Sequence, residues 1–395
     1  MAAKGNSLTQ SRRVAEKVRL GDVVDINTSS PPKYEGVKRY ISTGAIADGT
    51  IIESQVEMFG FSEKPSRAGL YPKEGDVLFA KMQATCKTFV VDRMNSGSLY
   101  STGFYALTPH KDEIDTLYLS HYLDSEQFLS AKDKECNGAT QKALSGLGFR
   151  KLLVPLPSLV EQKRIAAELD KICELKKNVE TQIEKLDILV KSRFVEMFGE
   201  GRFPMVAVGD VFTVKGPKRI HKEEWTGEGV PFYRVSNLSD LLEGRETSSD
   251  NYISRQRFEA LQAERQVPTT GDVLVTARGT LGRCYVVKPN DEFYFQDGMI
   301  TWLSDRSDRI TLPYFLQAVQ SQAFKRQYEG KSSGTTVAYM TIGQLAKYKL
   351  PLPPIALQRE FAAFVEKVEK LKEVAKKSVE QMDTLYRAKL QEYFG

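Results

Sequence analysis

Residues 155–199 read PLPSLVEQKRIAAELDKICELKKNVETQIEKLDILVKSRFVEMFG, and residues 351–395 read PLPPIALQREFAAFVEKVEKLKEVAKKSVEQMDTLYRAKLQEYFG. The two align without a gap at an offset of 196, with 15 identities in 45 positions. In the first, Ile165, Ile172, Val179 and Leu186 recur every seven residues, with Leu169, Leu175, Ile183, Leu189 and Val190 beside them. In the second, Phe361, Val368, Ala375 and Met382 hold the matching positions, flanked by Phe364, Val365, Leu371, Val379, Leu385 and Tyr386. Such a stripe predicts a long helix in each copy. Pro155 and Pro157 are tolerated only at a helix start, Ser158 with Glu161 forms a capping-box pattern, and Gly199 is a stop signal. About 40 residues make a helix of roughly 60 Å. One apolar stripe on a helix that long needs a partner, and the other copy is the nearest one. The eight seven-spaced residues are the expected core of a two-helix rod.

Working outward, the repeat extends through the chain. Gly75-Asp76-Val77-Leu78 returns as Gly271-Asp272-Val273-Leu274 at the same offset, and RLGDVV (19–24) is matched by MVAVGDVF (205–212). STGFYALTP (101–109) predicts a strand, and FQDGMITWL (295–303) takes its place in the second copy. Residues 114–131 carry helical spacing, with Leu117, Tyr118, His121, Tyr122, Phe128 and Leu129 on one face, and 312–328 match them. NGATQKALS (137–145) is answered by SSGTTVAYMT (332–341). Between these landmarks, 211–265 share almost nothing with 24–69. The expected division is 1–154 and 201–350 as mixed α/β domains, and 155–200 and 351–395 as the long helices. Two readers of different things on one frame, or drift after duplication, would both produce this divergence.

Composition narrows the function classes. At 395 residues, with 41% hydrophobic and 27% charged residues, the chain is long enough for two globular domains plus helices. No apolar run approaches the ~20 residues needed to span a bilayer, so no membrane partner is expected. Cys86, Cys136, Cys173 and Cys284 are scattered, and only His110, His121 and His221 accompany them, so neither disulfides nor a metal site is expected and the cytoplasm is the natural compartment. The net charge is +5. Taken together, the two helices hold equal numbers of acidic and basic residues, so the whole excess sits in the globular segments.

These residues resemble a known family. The helix starts PLPSLVEQKRIAAELDKI (155–172) and PLPPIALQREFAAFVEKV (351–368), the G-D-V-L turns, and the G-x-T loops at Gly138–Thr140 and Gly334–Thr336 are similar to those of DNA-specificity subunits of type I restriction-modification systems. The second copy departs where Leu357 replaces Glu161 and Phe361 replaces Ile165. The resemblance implies two α/β target-recognition domains, each reading half of a split target in double-stranded DNA. It implies that the helices pack as an antiparallel coiled coil, set the gap between half-sites, and dock two methyltransferase subunits. The chain itself would be non-catalytic. S-adenosylmethionine and ATP would be bound only by the partner methyltransferase and motor-nuclease subunits.

The residues agree with a non-enzyme. Ser30-Pro31-Pro32-Lys33-Tyr34 lacks the amide and adjacent aromatic of an adenine-methylating loop. Gly330-Lys331-Ser332 has the tail of a phosphate loop, but position 325 is Lys. Gly146-Leu147-Gly148 does not follow a strand of a βαβ unit, and no nucleophile–base pair is legible. DNA reading needs Arg, Lys, Asn, Gln, Ser and Thr on loops. In the first segment the candidates are Lys33, Arg39, Lys81, Gln83, Lys87, Thr140, Gln141 and Lys142, with Lys38, Tyr40 and Thr85 beside them. In the second they are Arg219, Arg234, Asn237, Arg278, Thr280, Arg283, Lys331, Ser332, Thr335 and Thr336, with Lys218, His221, Ser236 and Ser333. The competing reading is a coiled-coil scaffold that gathers partners without touching DNA. A related methylase-only system is a third.

Overall fold

The computed structural model describes residues 16–138, 142–199, 203–277, 281–296, 298–328 and 340–395. They divide into two compact units, one running to Thr181 and completed by Ala375–Gly395, the other Gln182–Val374.

The first unit is built on a four-stranded antiparallel sheet in the order Val24–Asn27, Phe104–Pro109, Val77–Ala80, Thr88–Val90. Val77–Ala80 is apolar throughout and buried throughout, as an inner strand covered on both faces must be. The turn before it needs Gly75 at φ +88°, a left-handed conformation that costs glycine little. Asp76 is buried there, and its carboxylate accepts hydrogen bonds from the Lys73 amide (2.8 Å), Asn27 Nδ2 (2.7 Å) and Thr108 Oγ1 (2.6 Å). The G-D pair therefore ties the turn to two neighbouring strands. A second sheet, Glu57–Gly60, Val37–Ile41, Leu99–Tyr100, ends in a parallel pair. Lys17–Arg19 pairs antiparallel with Leu153–Pro155, so the chain leaves this domain beside its point of entry and runs into the first long helix.

The stretch expected as one helix over 114–131 is two, Thr116–Leu123 and Glu126–Lys134. Asp115 caps the first by accepting from the Leu117 and Tyr118 amides, and Ser125 caps the second by accepting from Phe128 N (3.2 Å). A capping residue in mid-segment diverts the backbone from the helical ladder, so the chain breaks there. The second copy repeats the break, with Ser321 between Leu312–Gln320 and Gln322–Lys325. Residues 18–26, VRLGDVVDI, do not form one strand: a helical turn, Leu20–Val23, separates Lys17–Arg19 from Val24–Asn27.

Both long helices are continuous, Leu159–Phe198 and Ile355–Phe394. Only half of the expected capping box forms. Ser158 accepts from Glu161 N at 3.4 Å, while the Glu161 carboxylate turns to Arg164. The stronger tie is the next residue. Gln162 is fully buried, accepts from Asp115 N (2.8 Å), and donates to the carbonyls of Glu113 (3.0 Å) and Pro157 (2.8 Å). Gln358 does the same in the second unit with Thr311 N, Arg309 O and Pro353 O. Tyr118 donates to the Pro155 carbonyl and Tyr314 to that of Pro351. These ties fix each helix start on its own globular domain.

The second unit repeats the main sheet in the same order: Thr213–Lys215, Ile300–Ser304, Val273–Thr276, Cys284–Val286. Its smaller sheet, Trp225–Thr226, Tyr252–Ile253, Val230–Tyr233, Tyr294–Phe295, again closes on a parallel pair. The unmatched stretch 211–265 thus holds a sheet in the corresponding place and adds two helices, Val235–Leu242 and Arg255–Ala263.

Within each unit the two long helices run antiparallel. In the first, Lys389 pairs with Glu168 (2.7 Å) and Lys176 with Asp383 (2.7 Å). In the second, Lys372 pairs with Asp187 (2.7 Å) and Arg193 with Glu360 (3.0 Å). The core is shared with the globular parts rather than private to the helices. Ile165, Ala166, Leu169, Leu390 and Phe394 merge with Tyr118, Tyr122, Phe128 and Phe149. Phe361, Val368, Val190 and Phe198 merge with Tyr314 and Leu350. Of the eight seven-spaced residues, Ile165, Ile172, Phe361 and Val368 are buried, while Val179, Leu186, Ala375 and Met382 are half-buried. Leu175, Leu189, Leu371 and Leu385, expected beside the stripe, are exposed by about half. A two-helix pair covers only a narrow seam, and a third apolar position per heptad stands outside it.

Candidate nucleic-acid interface

In the first unit two candidate loops meet. The loop after Val77–Ala80 carries Lys81, Gln83 and Lys87, and the segment at Lys142–Leu144 lies against it. Gln83 N donates to the Lys142 carbonyl (3.0 Å) and Leu144 N to that of Lys81 (2.9 Å). Gln83 and Lys142 are exposed. Lys81 is half-buried with its ammonium 4.3 Å from the Tyr105 ring centroid, and burial lowers its pKa. The result is a polar, partly cationic ridge on a rigid strand end, the residue mixture that base edges and phosphates accept.

Other candidates are used internally. Lys87 donates to the Thr43 carbonyl (2.8 Å), and Lys38 to Tyr71 Oη (2.9 Å) and Gly97 O (3.0 Å). Arg39 pairs with Glu53 at 2.7 Å. Tyr40 belongs to a small core with Ala68 and Leu99, which corrects its placement among the readers. Lys33 is exposed on a loop. Thr140 and Gln141 lie outside the described residues.

In the second unit, Arg283 extends to Glu243 (3.1 Å), next to the helix that starts after Arg234. Arg234 is exposed, with its guanidinium 5.6 Å from the Trp225 ring centroid, and Arg219 is exposed on a loop. Asn237 is a correction. Its carbonyl accepts from Arg234 N (2.9 Å) and its amide donates to Thr247 Oγ1 (2.9 Å) and Ser248 O (2.7 Å), so its polar atoms hold the fold together. Lys218 pairs with Glu264. Arg278, Thr280, Lys331, Ser332, Ser333, Thr335 and Thr336 lie outside the described residues.

Sequence reasoning passed over two lysines. Lys215 lies 3.8 Å from the Trp302 ring centroid and lines a cleft of about 500 Å³ with Arg265 and Arg306. Lys132 is fully buried beneath the Lys81–Lys87 loop. No local pattern marks either one. A buried lysine in an amphipathic stretch reads as a solvated charge until its tertiary neighbours are known.

Among the described residues, no group of three or more His, Cys, Asp or Glu side chains could hold a metal ion. The cysteine thiols are suppressed, not activated. Desolvation and the Asp124 carboxylate, 3.3 Å away, push the Cys86 thiol up to about 12, and desolvation with Asp170 pushes Cys173 up to about 11. A raised thiol pKa means less thiolate, the reactive form. At pH 8 the folded chain is expected to alkylate at Cys86 on the order of 100-fold more slowly than an unperturbed cysteine, a roughly 1000-fold loss of thiolate being partly offset by the greater nucleophilicity of the more basic sulfur. Peptide mapping after a timed iodoacetamide pulse, with Asp124→Asn accelerating the reaction, checks this.

Duplicated sheet domains with polar loops at their strand ends, mounted on paired helices, define a binding protein with two recognition modules. The family model for the type I restriction modification DNA specificity domain matches residues 14–185 and again 202–381. The chain belongs to that family, the sequence-specific DNA-recognition subunits of type I restriction-modification systems. It is 24% identical over 405 residues to the type I restriction enzyme MjaVIII specificity subunit of Methanocaldococcus jannaschii, covering 93% of this chain and 89% of that one. Its fold is similar to a chain solved in work on complex assembly and conformational transition of the type I R-M system, with TM-score 0.58, 22% identity, and coverage of 96% and 97%. The S subunit of the type I system of M. genitalium aligns with TM-score 0.51 and 15% identity over 98% of both chains. Among the described residues, no helix is long and apolar enough to cross a membrane.

Proposed function

We propose that each unit reads one half of a split DNA target, and that the paired helices set the gap between the halves and dock two methyltransferase subunits. The chain itself performs no catalysis. S-adenosylmethionine and ATP belong to the methyltransferase and motor-nuclease partners, and the assembly works in the cytoplasm. One observation carries the reading. The two copies keep matching framework ties, those of Gln162 and Gln358, of Tyr118 and Tyr314, and the turn amides bound by Asp76 and Asp272, yet carry different side chains at their loops. A frame held constant beneath divergent contact residues suits two readers of different sequences. The balanced charge of the helices favours protein docking there over phosphate contact.

Methylome sequencing after co-expression with the cognate methyltransferase is expected to give a single split adenine-methylated motif. A continuous motif, or none, would overturn the reading. Gln83→Ala should relax one half-site and spare the other, with discrimination at the affected base falling by about 1–3 kcal/mol. Equal degradation of both halves would dissolve the assignment of one domain to one half-site. Binding of the assembled complex should weaken steeply with salt, by a log–log slope near −0.9 for each neutralised phosphate. A flat profile favours the scaffold reading.

A further inference from the structure

We propose that Lys132 and Asp133 form a clamp that positions the Lys81–Lys87 reading loop, making them specificity-positioning residues for the first half-site alone. The inference rests on the reading of that loop as a DNA contact. Lys132 is 1% exposed. Its ammonium donates to the carbonyls of Thr85 (2.6 Å), Met82 (2.8 Å) and Ala80 (3.4 Å), one for each of its three hydrogens. The next residue grips the same loop from its N–H side. Both Asp133 oxygens accept from the Ala84 amide, at 3.1 and 3.0 Å. Ala84 has φ +56°, a left-handed conformation that an alanine adopts only when its surroundings hold it.

A buried ammonium is a costly way to fill space, since an apolar side chain of similar volume would avoid the desolvation. What the charge supplies is direction: three carbonyls turn inward, the Ala84 amide turns toward Asp133, and Gln83 between them is left exposed. Both residues sit on the capped helix Glu126–Lys134, which packs through Phe128 into the core of the unit. The loop thus takes its shape from a rigid element. Side chains that read bases need such support, because a displacement of about 1 Å removes a bidentate contact. At the 196-residue offset the second copy has Tyr328 in place of Lys132, so the ammonium clamp is specific to the first copy.

The test uses the full chain with its methyltransferase. Asp133→Ala is the first variant, because Asp133 is partly exposed and its loss leaves the core filled; Lys132→Met is the second. Hydrogen exchange of peptides covering 81–87 is expected to accelerate by about tenfold, as when one charge-assisted hydrogen bond is lost. The methylome should keep the second half-site and degenerate at one or two positions of the first. Unchanged exchange in both variants overturns the clamp while leaving the DNA reading intact. Faster exchange with an unaltered motif overturns the role in specificity. A parental chain that gives no split motif overturns the DNA reading and, with it, this inference.

Discussion

Replacing Phe394 by Ala is expected to destabilise the first unit by about 3–5 kcal/mol. Phe394 is 1% exposed, with ring centroids of Tyr118 and Tyr122 at 5.3 and 5.4 Å. Those tyrosines anchor the helix start through Pro155 O and the exit strand through Leu153 O, so the ring fills the junction of sheet, helix pair and entry strand. Its removal opens a cavity that three rigid elements cannot close. Only two tryptophans exist, Trp225 and Trp302, and both lie in the second unit. Denaturant unfolding followed by far-UV dichroism should therefore gain an early transition that tryptophan fluorescence does not see. A dichroism curve unchanged within about 0.5 kcal/mol would sink the assignment.

Gln162→Leu should cost a comparable amount, about 3 kcal/mol. It conserves volume but leaves the Asp115 amide and the Glu113 and Pro157 carbonyls without their buried partner. Gln162→Glu keeps the acceptor for Asp115 but buries a carboxylate against the Glu113 and Pro157 carbonyls, so near neutral pH it should cost at least as much as leucine and recover in part at low pH, where the protonated acid regains one donor. The matching change, Gln358→Leu, should move the fluorescence transition instead, because Gln358 ties the second unit. If both variants shift the same signal, the two units do not unfold as separate bodies.

Much of the frame was legible because it is repeated. The heptad stripe, the prolines and the closing glycine define both helices, and the G-D-V-L turn marks the strand that became the buried centre of each sheet. Ser125 and Ser321 were recognisable as matched positions but not as breaks, since a serine within an apolar period reads as a tolerated polar residue until its hydroxyl is seen capping. The smaller sheet of the second unit was illegible: strands of two to four residues, Trp225–Thr226 and Val230–Tyr233 among them, are too short to show a period. At the candidate interface, residue type identified loops and could not rank residues within them. Asn237 and Lys87 have the chemistry of readers and spend it on neighbours distant in sequence. Lys132 carried no signal, because its three acceptors are backbone carbonyls, present in every sequence.

The make-up of the two units has a consequence for biosynthesis. The second unit is a single continuous stretch, Gln182–Val374, whereas the first is not complete until Ala375–Gly395 has been made. A ribosome delivers the first domain early and its remaining core residues, Leu390 and Phe394, only after the whole second unit. Domains generally fold in order of synthesis. Here that order is reversed: the unit begun first is completed only after the second. Until residues 375–395 have been made, the nascent chain carries an open apolar slot lined by Tyr118 and Tyr122. A chain halted before Phe394 would leave that slot unfilled, with the rings of Tyr118 and Tyr122 uncovered.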